Sequence, residues 1–455
     1  MAELFSFDQM LIFGLISVLL LVGLFLRAKV SMFQRFFIPA CITAGILGLI
    51  LKELGVFTVS DDQLKLFAYH LFNITFISLG LTTRPDAPRS KEEKKKGFRG
   101  VFTMGLLIAA VAALQFLVGG FLVVLLNLFG FNLFPTFGFL VPMGFEEGPG
   151  QALSIGQAWE GFGFANAATI GLSFAMFGFL VAIFVGVPLA GWMIHKGYTS
   201  KKNFEVSSDF KTGIFSKDMD KESAGNLTTH SSAIDSLTVH SSLIGVVYLL
   251  TYGFVYLMQS FLPEDMAEMF WGFFFIWGLL LAFIIRNIVE KAGAGHVLDN
   301  RLQSRITGWG VDLLIVTSIL AISLAVVWDY IVPIMIMVII TAAVTLLFVF
   351  YIGKRIWQEH TSERIAGIFG METGTVATGL VLIRLLDPNF ITPAATDLAI
   401  SSIVALPFLF AMFNIMNGPI LFGWSLEFTL LIFAAIEIGV LAMLWVLGFW
   451  KRPEK

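Results

Sequence analysis

Two stretches of the sequence set glycines beside carboxylates in otherwise apolar surroundings: M-G-F-E-E-G-P-G-Q from Met143 and F-G-M-E-T-G-T-V-A from Phe369. Gly144, Glu146 and Gly148 of the first align with Gly370, Glu372 and Gly374 of the second. Carboxylates are hard oxygen donors suited to a proton or to a cation such as Na+. Two of them about 6 Å apart repel by roughly 3 kcal/mol at an effective dielectric of 20. A bound proton or Na+ relieves that repulsion, so Glu146 and Glu372 read as the site of a coupling cation. Glycine and proline beside them permit unwound backbone, whose N–H groups suit an anionic ligand and whose carbonyls suit a small cation. The plainer reading is that these glutamates face water or hydrogen-bond the bend of the chain.

Polar neighbours extend the set of candidate substrate ligands. Glu147, Gly148, Gly150 and Gln151 belong to the first stretch, and Thr373, Gly374, Thr375 and Thr378 to the second. Asn166 opens the next helix after the first, and Asn414 and Asn417 occupy the matching place after the second. Thr hydroxyls also back-bond their own helix, and Asn also bonds a neighbouring helix in membranes. Arg384 reads either as a clamp for a substrate carboxylate or as a snorkelling side chain. His70, Asn73 and Glu437 stand alone in apolar runs and read as interhelical residues. No paired Cys/His ligands, nucleophile elbow or phosphate loop appears, which argues against an enzyme and against any organic cofactor. A single cysteine, Cys41, rules out a disulfide framework.

The elements that hold these residues are membrane spans. The chain has 455 residues, 57% hydrophobic and 13% charged, with a mean hydropathy of +0.86, whereas a soluble domain carries about a quarter charged residues. A net charge of -3 offers no basic surface for nucleic acid. Apolar runs fall near 9–27, 36–54, 65–83, 100–127, 164–195, 242–262, 268–286, 307–328, 331–353, 395–417 and 427–449. About 20 such residues cross a bilayer core of about 30 Å. Glu3 and Asp8 with no Lys or Arg at the start predict an uncleaved first helix.

Two further segments, 134–160 and 365–387, are apolar but broken by glycine and carry the carboxylates. Charge parity decides their course, because Lys and Arg of short loops stay cytoplasmic. The basic connections lie after the first, third and fifth helices, then at Arg286–Arg305, at Lys354–Arg355 and at the C-terminus. A full crossing by either segment would carry a basic stretch to the outside, so both are expected to dip in and return. The expectation is an all-α integral membrane protein of two inverted repeats. Each has five transmembrane helices and one re-entrant hairpin: residues 1–195 with hairpin 134–160, and 241–417 with hairpin 365–387. A cytoplasmic linker, 196–240, joins them, and 418–455 adds one helix and a tail. The N-terminus is expected outside and the C-terminus in the cytoplasm of a cell inner (plasma) membrane. Opposed hairpins place their tips together near the midplane, the usual binding position in transporters with inverted repeats.

The sequence also resembles a family, the bacterial sodium/glutamate symporters, over roughly 36–195 and 307–420. The resemblance rests on F-I-P-A-C-I-T-A-G from Phe37, on Q-A-W from Gln157 followed by G-F-A-N-A-A from Gly163, and on A-M-F-G-F-L-V from Ala175 with G-V-P-L-A-G from Gly186. It implies symport of glutamate or a related small carboxylate or amino acid with Na+ as coupling ion. It further implies a homodimer and a transport unit that moves like an elevator against a fixed scaffold. The first hairpin departs from the family's usual G-G-H-G-T-G, placing Glu147 where a His is expected. The alternative function is a cation/proton antiporter working through the hairpin carboxylates.

Overall fold

The computed structural model describes residues 8–82, 91–198, 208–217, 223–263, 267, 270–387 and 392–450, and these are helical with no strand among them. In chain order the helices are α1 (Asp8–Lys29), α2 (Ser31–Arg35), α3 (Ala40–Glu53), α4 (Asp61–Gly80), α5 (Lys91–Leu128), α6 (Leu140–Phe145), α7 (Pro149–Gly161), α8 (Ala167–Phe184), α9 (Gly186–His195) and α10 (Ser208–Thr212). After these come α11 (Ser236–Gln259), α12 (Phe274–Lys291), α13 (Asn300–Leu320), α14 (Leu324–Asp329), α15 (Ile331–Ile356), α16 (Thr361–Glu372), α17 (Val376–Leu386), α18 (Ala394–Ile415), α19 (Gly418–Leu421) and α20 (Leu426–Val446). Some of the basic residues used for parity, among them Arg84, Arg89, Lys201, Lys202, Lys221, Arg452 and Lys455, lie outside the described residues.

Seven helical stretches are long and apolar enough to cross a bilayer: Gln9–Lys29, Phe98–Leu128, Ala167–His195, Ser236–Gln259, Ile331–Ile356, Ala394–Leu421 and Leu426–Val446. Four of the eleven apolar runs fall outside this set. Pro39 delays α3, which is left with 14 residues. Helix α4 opens on Asp61, Asp62 and Lys65, α12 closes on Arg286, Glu290 and Lys291, and α13 carries Arg301, Arg305 and Asp312. These four pack on one another rather than stand alone. Gly45 and Gly48 of α3 abut Ile319 and Leu320 of α13, and Lys52 Nζ bonds both Asp61 and the carbonyl of Leu320 at 2.7 Å. Within 196–240, the described residues include α10 and the start of α11 at Ser236, capped by Asp235.

Both glycine-broken segments form pairs of short helices. In the first, a 3-10 turn at Phe137–Phe139 leads into α6. Phe134, Phe137 and Trp159 all lie against Phe164, with ring centroids 4.6, 5.9 and 6.2 Å apart, so the two ends of the segment lie side by side. The break falls at Gly148, whose φ of 88° is in the left-handed region that glycine adopts without cost. Pro149 then starts α7 at its first position, where a missing N–H costs nothing. In the second segment α16 and α17 run antiparallel: Gly367 meets Ile383, and a Cβ on Gly370 would stand 3.0 Å from Gly379 Cα. Their 12 and 11 residues amount to about 17–18 Å of helix each at 1.5 Å per residue, short of a bilayer core.

Helix α18 relates the two pairs. Near its start, Asp397 holds Arg364 of α16 at 2.7 Å. Just past its end, Asn417 accepts a 2.6 Å hydrogen bond from Trp159 of α7. Its 22 residues span about 33 Å, so the two helix pairs open at opposite ends of one bilayer-long helix.

Candidate functional site

The two breaks meet. A Cβ on Gly148 would lie 3.5 Å from Thr375 Cγ2 and 4.0 Å from the carbonyl of Gly374. A Cβ on Gly178, in the middle of α8, would stand 2.5 Å from the carbonyl of Thr373 and 3.0 Å from Phe145 Cδ1. The absence of a side chain at Gly178 is what lets both breaks reach the same face of α8. Each break brings together one helix C-terminus, of α6 or α16, and one helix N-terminus, of α7 or α17. Their dipoles therefore offer partial negative and partial positive charge side by side.

Three carboxyls line this junction. Glu372 ends α16, is fully buried, and neither of its carboxyl oxygens has a hydrogen-bond partner. Glu146 follows α6, is 6% exposed, and leaves Oε1 without a partner. Glu147 accepts from Gln151 Nε2 at 3.0 Å through Oε2 and leaves Oε1 bare. All three lie within electrostatic reach of one another. Among the described residues no three His, Cys, Asp or Glu side chains group as a metal cage, so a cation at these carboxyls would also draw on backbone carbonyls.

The other expected ligands divide. Gly150 abuts the Phe72 ring of α4, which leaves no room for a larger residue. Gln151 is occupied by Glu147. Thr373 Oγ1 donates to the carbonyl of Phe369 at 2.8 Å. Thr378 Oγ1 lies 2.6 Å from the carbonyl of Gly370 and accepts from Thr375 N–H at 2.8 Å, within the capping box that starts α17. Those two hydroxyls hold the turn together. Thr375 and Gly374 face Gly148 across the junction. Three asparagines lie elsewhere. Asn166 is exposed at the start of α8 with a φ of 63°, about 18 Å of helix from Gly178. Asn414 is exposed and back-bonds Phe410. Asn417 is buried but engaged by Trp159 and Phe413. Arg384 sits with its guanidinium 4.5 Å from the ring centroid of Phe210 in α10.

One contributor escaped the sequence reading. Gln115 of α5 is fully buried, and its Nε2 donates to the backbone carbonyl of Glu372 at 2.8 Å and to Thr345 Oγ1 of α15 at 3.1 Å. A lone amide in the run A-A-V-A-A-L-Q-F was the available signal, since polar side chains inside membrane helices are costly.

Fold and junction together define a multi-pass helical membrane protein with a buried, acidic junction between two interrupted helix pairs. The sodium/glutamate symporter family matches residues 5–383, and the chain belongs to that family. Membership points to sodium-coupled transport rather than enzymatic chemistry and lends no support to cation/proton exchange. The match ends before α18, α19 and α20, so Asn414, Asn417 and Glu437 lie beyond it. No curated protein and no solved structure matches the chain.

Proposed function

We propose that the protein carries out Na+-coupled symport of glutamate or a related small carboxylate, with ion and substrate bound where the two interrupted helix pairs meet. The observation that carries this reading is the junction of Gly148 with Gly374 and Thr375, walled by Glu146, Glu147 and Glu372 with bare oxygens. Three buried carboxyls, when ionised, repel one another and any carboxylate substrate. Na+ therefore binds first, on Glu146 and Glu372 together with carbonyls at the end of α6. Its charge then admits the substrate carboxylate to the N–H groups that open α7 and α17. This order makes transport depend on Na+ without a separate gate for the empty protein.

The wider arrangement belongs to the same proposal: two inverted repeats, re-entrant hairpins entering from opposite faces, and alternating access by movement of the hairpin unit in a homodimer. The chain would lie in the inner (plasma) membrane with its N-terminus outside. Support comes from the opposite openings of the helix pairs along α18. The test is uptake of labelled glutamate and other small carboxylates into proteoliposomes under an inward Na+ or K+ gradient. Uptake is expected with Na+ only, and E146Q and E372Q are expected to abolish it at normal membrane levels. Equal uptake with K+, or unchanged Na+ dependence in both variants, would overturn the proposal.

A further inference from the structure

The geometry points to Gln115 of α5 as the positioning residue for the cation site, an inference that rests on the proposed symport reading. Helix α16 ends at Glu372 in the protein interior, where its last carbonyls lack the partners that a continuing helix would give them. The segment serves some of them itself. Thr373 N–H reaches the carbonyl of Phe369, Gly374 N–H that of Met371, and Thr378 Oγ1 that of Gly370. The carbonyl of Glu372 is served from outside, by the amide of Gln115 at 2.8 Å.

That amide has one workable orientation. A carbonyl only accepts, so turning the amide over would set Oε1 of Gln115 against the oxygen of Glu372. The second N–H of the same nitrogen reaches Thr345 Oγ1 at 3.1 Å. One buried side chain therefore fixes the backbone of Glu372 relative to both α5 and α15. The residue so fixed is the one whose carboxyl has two bare oxygens. Gln115 touches no atom assigned to ion or substrate, so it acts through the placement of Glu372. Displacements of about 1 Å at a reacting or coordinating centre cost large factors, and the loss of this bond frees the break to move by that much.

The experiment uses full-length Q115L and T345V in proteoliposomes, with two readouts. One is the Na+ dependence of uptake at fixed substrate. The other is stabilisation of the detergent-solubilised protein by NaCl against KCl with no substrate present. Q115L leaves a buried carbonyl unpaired, and its half-activating Na+ concentration is expected to rise about ten-fold or more. Substrate KM at saturating Na+ is expected to stay within about two-fold, because the N–H groups of α7 and α17 are untouched. T345V produces a smaller shift in the same direction and adds nothing to Q115L, since Thr345 acts through the amide. Unchanged Na+ midpoints in both variants, or a parallel loss of Na+ affinity, substrate affinity and thermal stability, overturn the inference. T345V alone decides it where Q115L does not reach the membrane. A wild-type protein without any Na+ response overturns the parent reading of function, which separates the two failures.

Discussion

Substitution of Gly178 by alanine tests the meeting of the two breaks most directly. The added methyl would stand 2.5 Å from the carbonyl oxygen of Thr373 and 3.0 Å from Phe145 Cδ1. Carbon contacts are comfortable from about 3.5 Å, so the break after α16 must retreat by about 1 Å. The crowded atom is backbone, and no rotamer change relieves it. The folding cost of such overpacking is about 1–3 kcal/mol, offset by up to about 1 kcal/mol from exchanging glycine for alanine inside a helix. G178A is therefore expected to fold and reach the membrane. Function is a different matter, because a displacement of about 1 Å at an assembled site costs on the order of a hundred-fold in rate. The assay is the initial rate of Na+-driven uptake per protein, beside the unfolding temperature in detergent. G191A is the control, since a methyl there meets nothing within 4 Å. G178A transporting at the wild-type rate would refute the claim that the two breaks must touch for transport.

Asn417 and Asp299 give two further expectations. N417A removes the acceptor of the 2.6 Å bond from Trp159, and an unpaired buried indole N–H costs about 1–3 kcal/mol, read as a lower unfolding temperature. Asp299 caps α13 and accepts from Leu302 N–H at 2.8 Å and Asn226 Nδ2 at 2.9 Å. Its slight burial raises the pKa, but the hydrogen bonds outweigh that and hold the carboxyl below the ordinary aspartate range. A depressed folded value means that Asp299 stabilises at neutral pH and loses that contribution as pH falls through it. D299A is thus expected to lower the unfolding temperature at pH 7 and to converge with wild type in acid, which a pH series of thermal melts would check.

Hydropathy carried the class of fold, because a bilayer leaves a coarse imprint: long runs without charge. Among the described residues, seven of the eleven runs form helices long and apolar enough to cross by themselves. The runs near 36–54, 65–83, 268–286 and 307–328 are apolar on average, yet their helices follow Pro39, open on Asp61 and Asp62, close on Arg286, Glu290 and Lys291, or carry Arg301 and Arg305. Part of their apolar surface is taken up by packing on one another, as Gly45 and Gly48 against Ile319 and Leu320 illustrate, while Leu79, Ile284 and Ile288 stay exposed. A window average cannot separate burial against protein from burial against lipid. The segments around Glu146 and Glu372 were legible for the opposite reason. Glycine and proline beside a carboxylate are so unfavourable in a continuous membrane helix that an interruption was the simplest account.

Within the site, residue type was a poor guide to role wherever a polar group had a partner close by in the chain. Thr373 and Thr378 look like ligands in a sequence, but their hydroxyls reach carbonyls of Phe369 and Gly370 within the same segment. Asn414 back-bonds Phe410. The donor hydrogens of such groups are taken up within the chain, where a short-range bond costs little ordering entropy and satisfies an otherwise stranded oxygen. The carboxyls differ in kind. An ionised glutamate accepts and cannot donate, so it cannot satisfy a free carbonyl at the end of its own helix. Glu372 is left with two bare oxygens at the end of α16, and only a proton, a cation or an incoming donor can fill them. The carbonyls that end α16 find N–H and O–H partners nearby, whereas the carboxyl does not, and a bound cation can answer it.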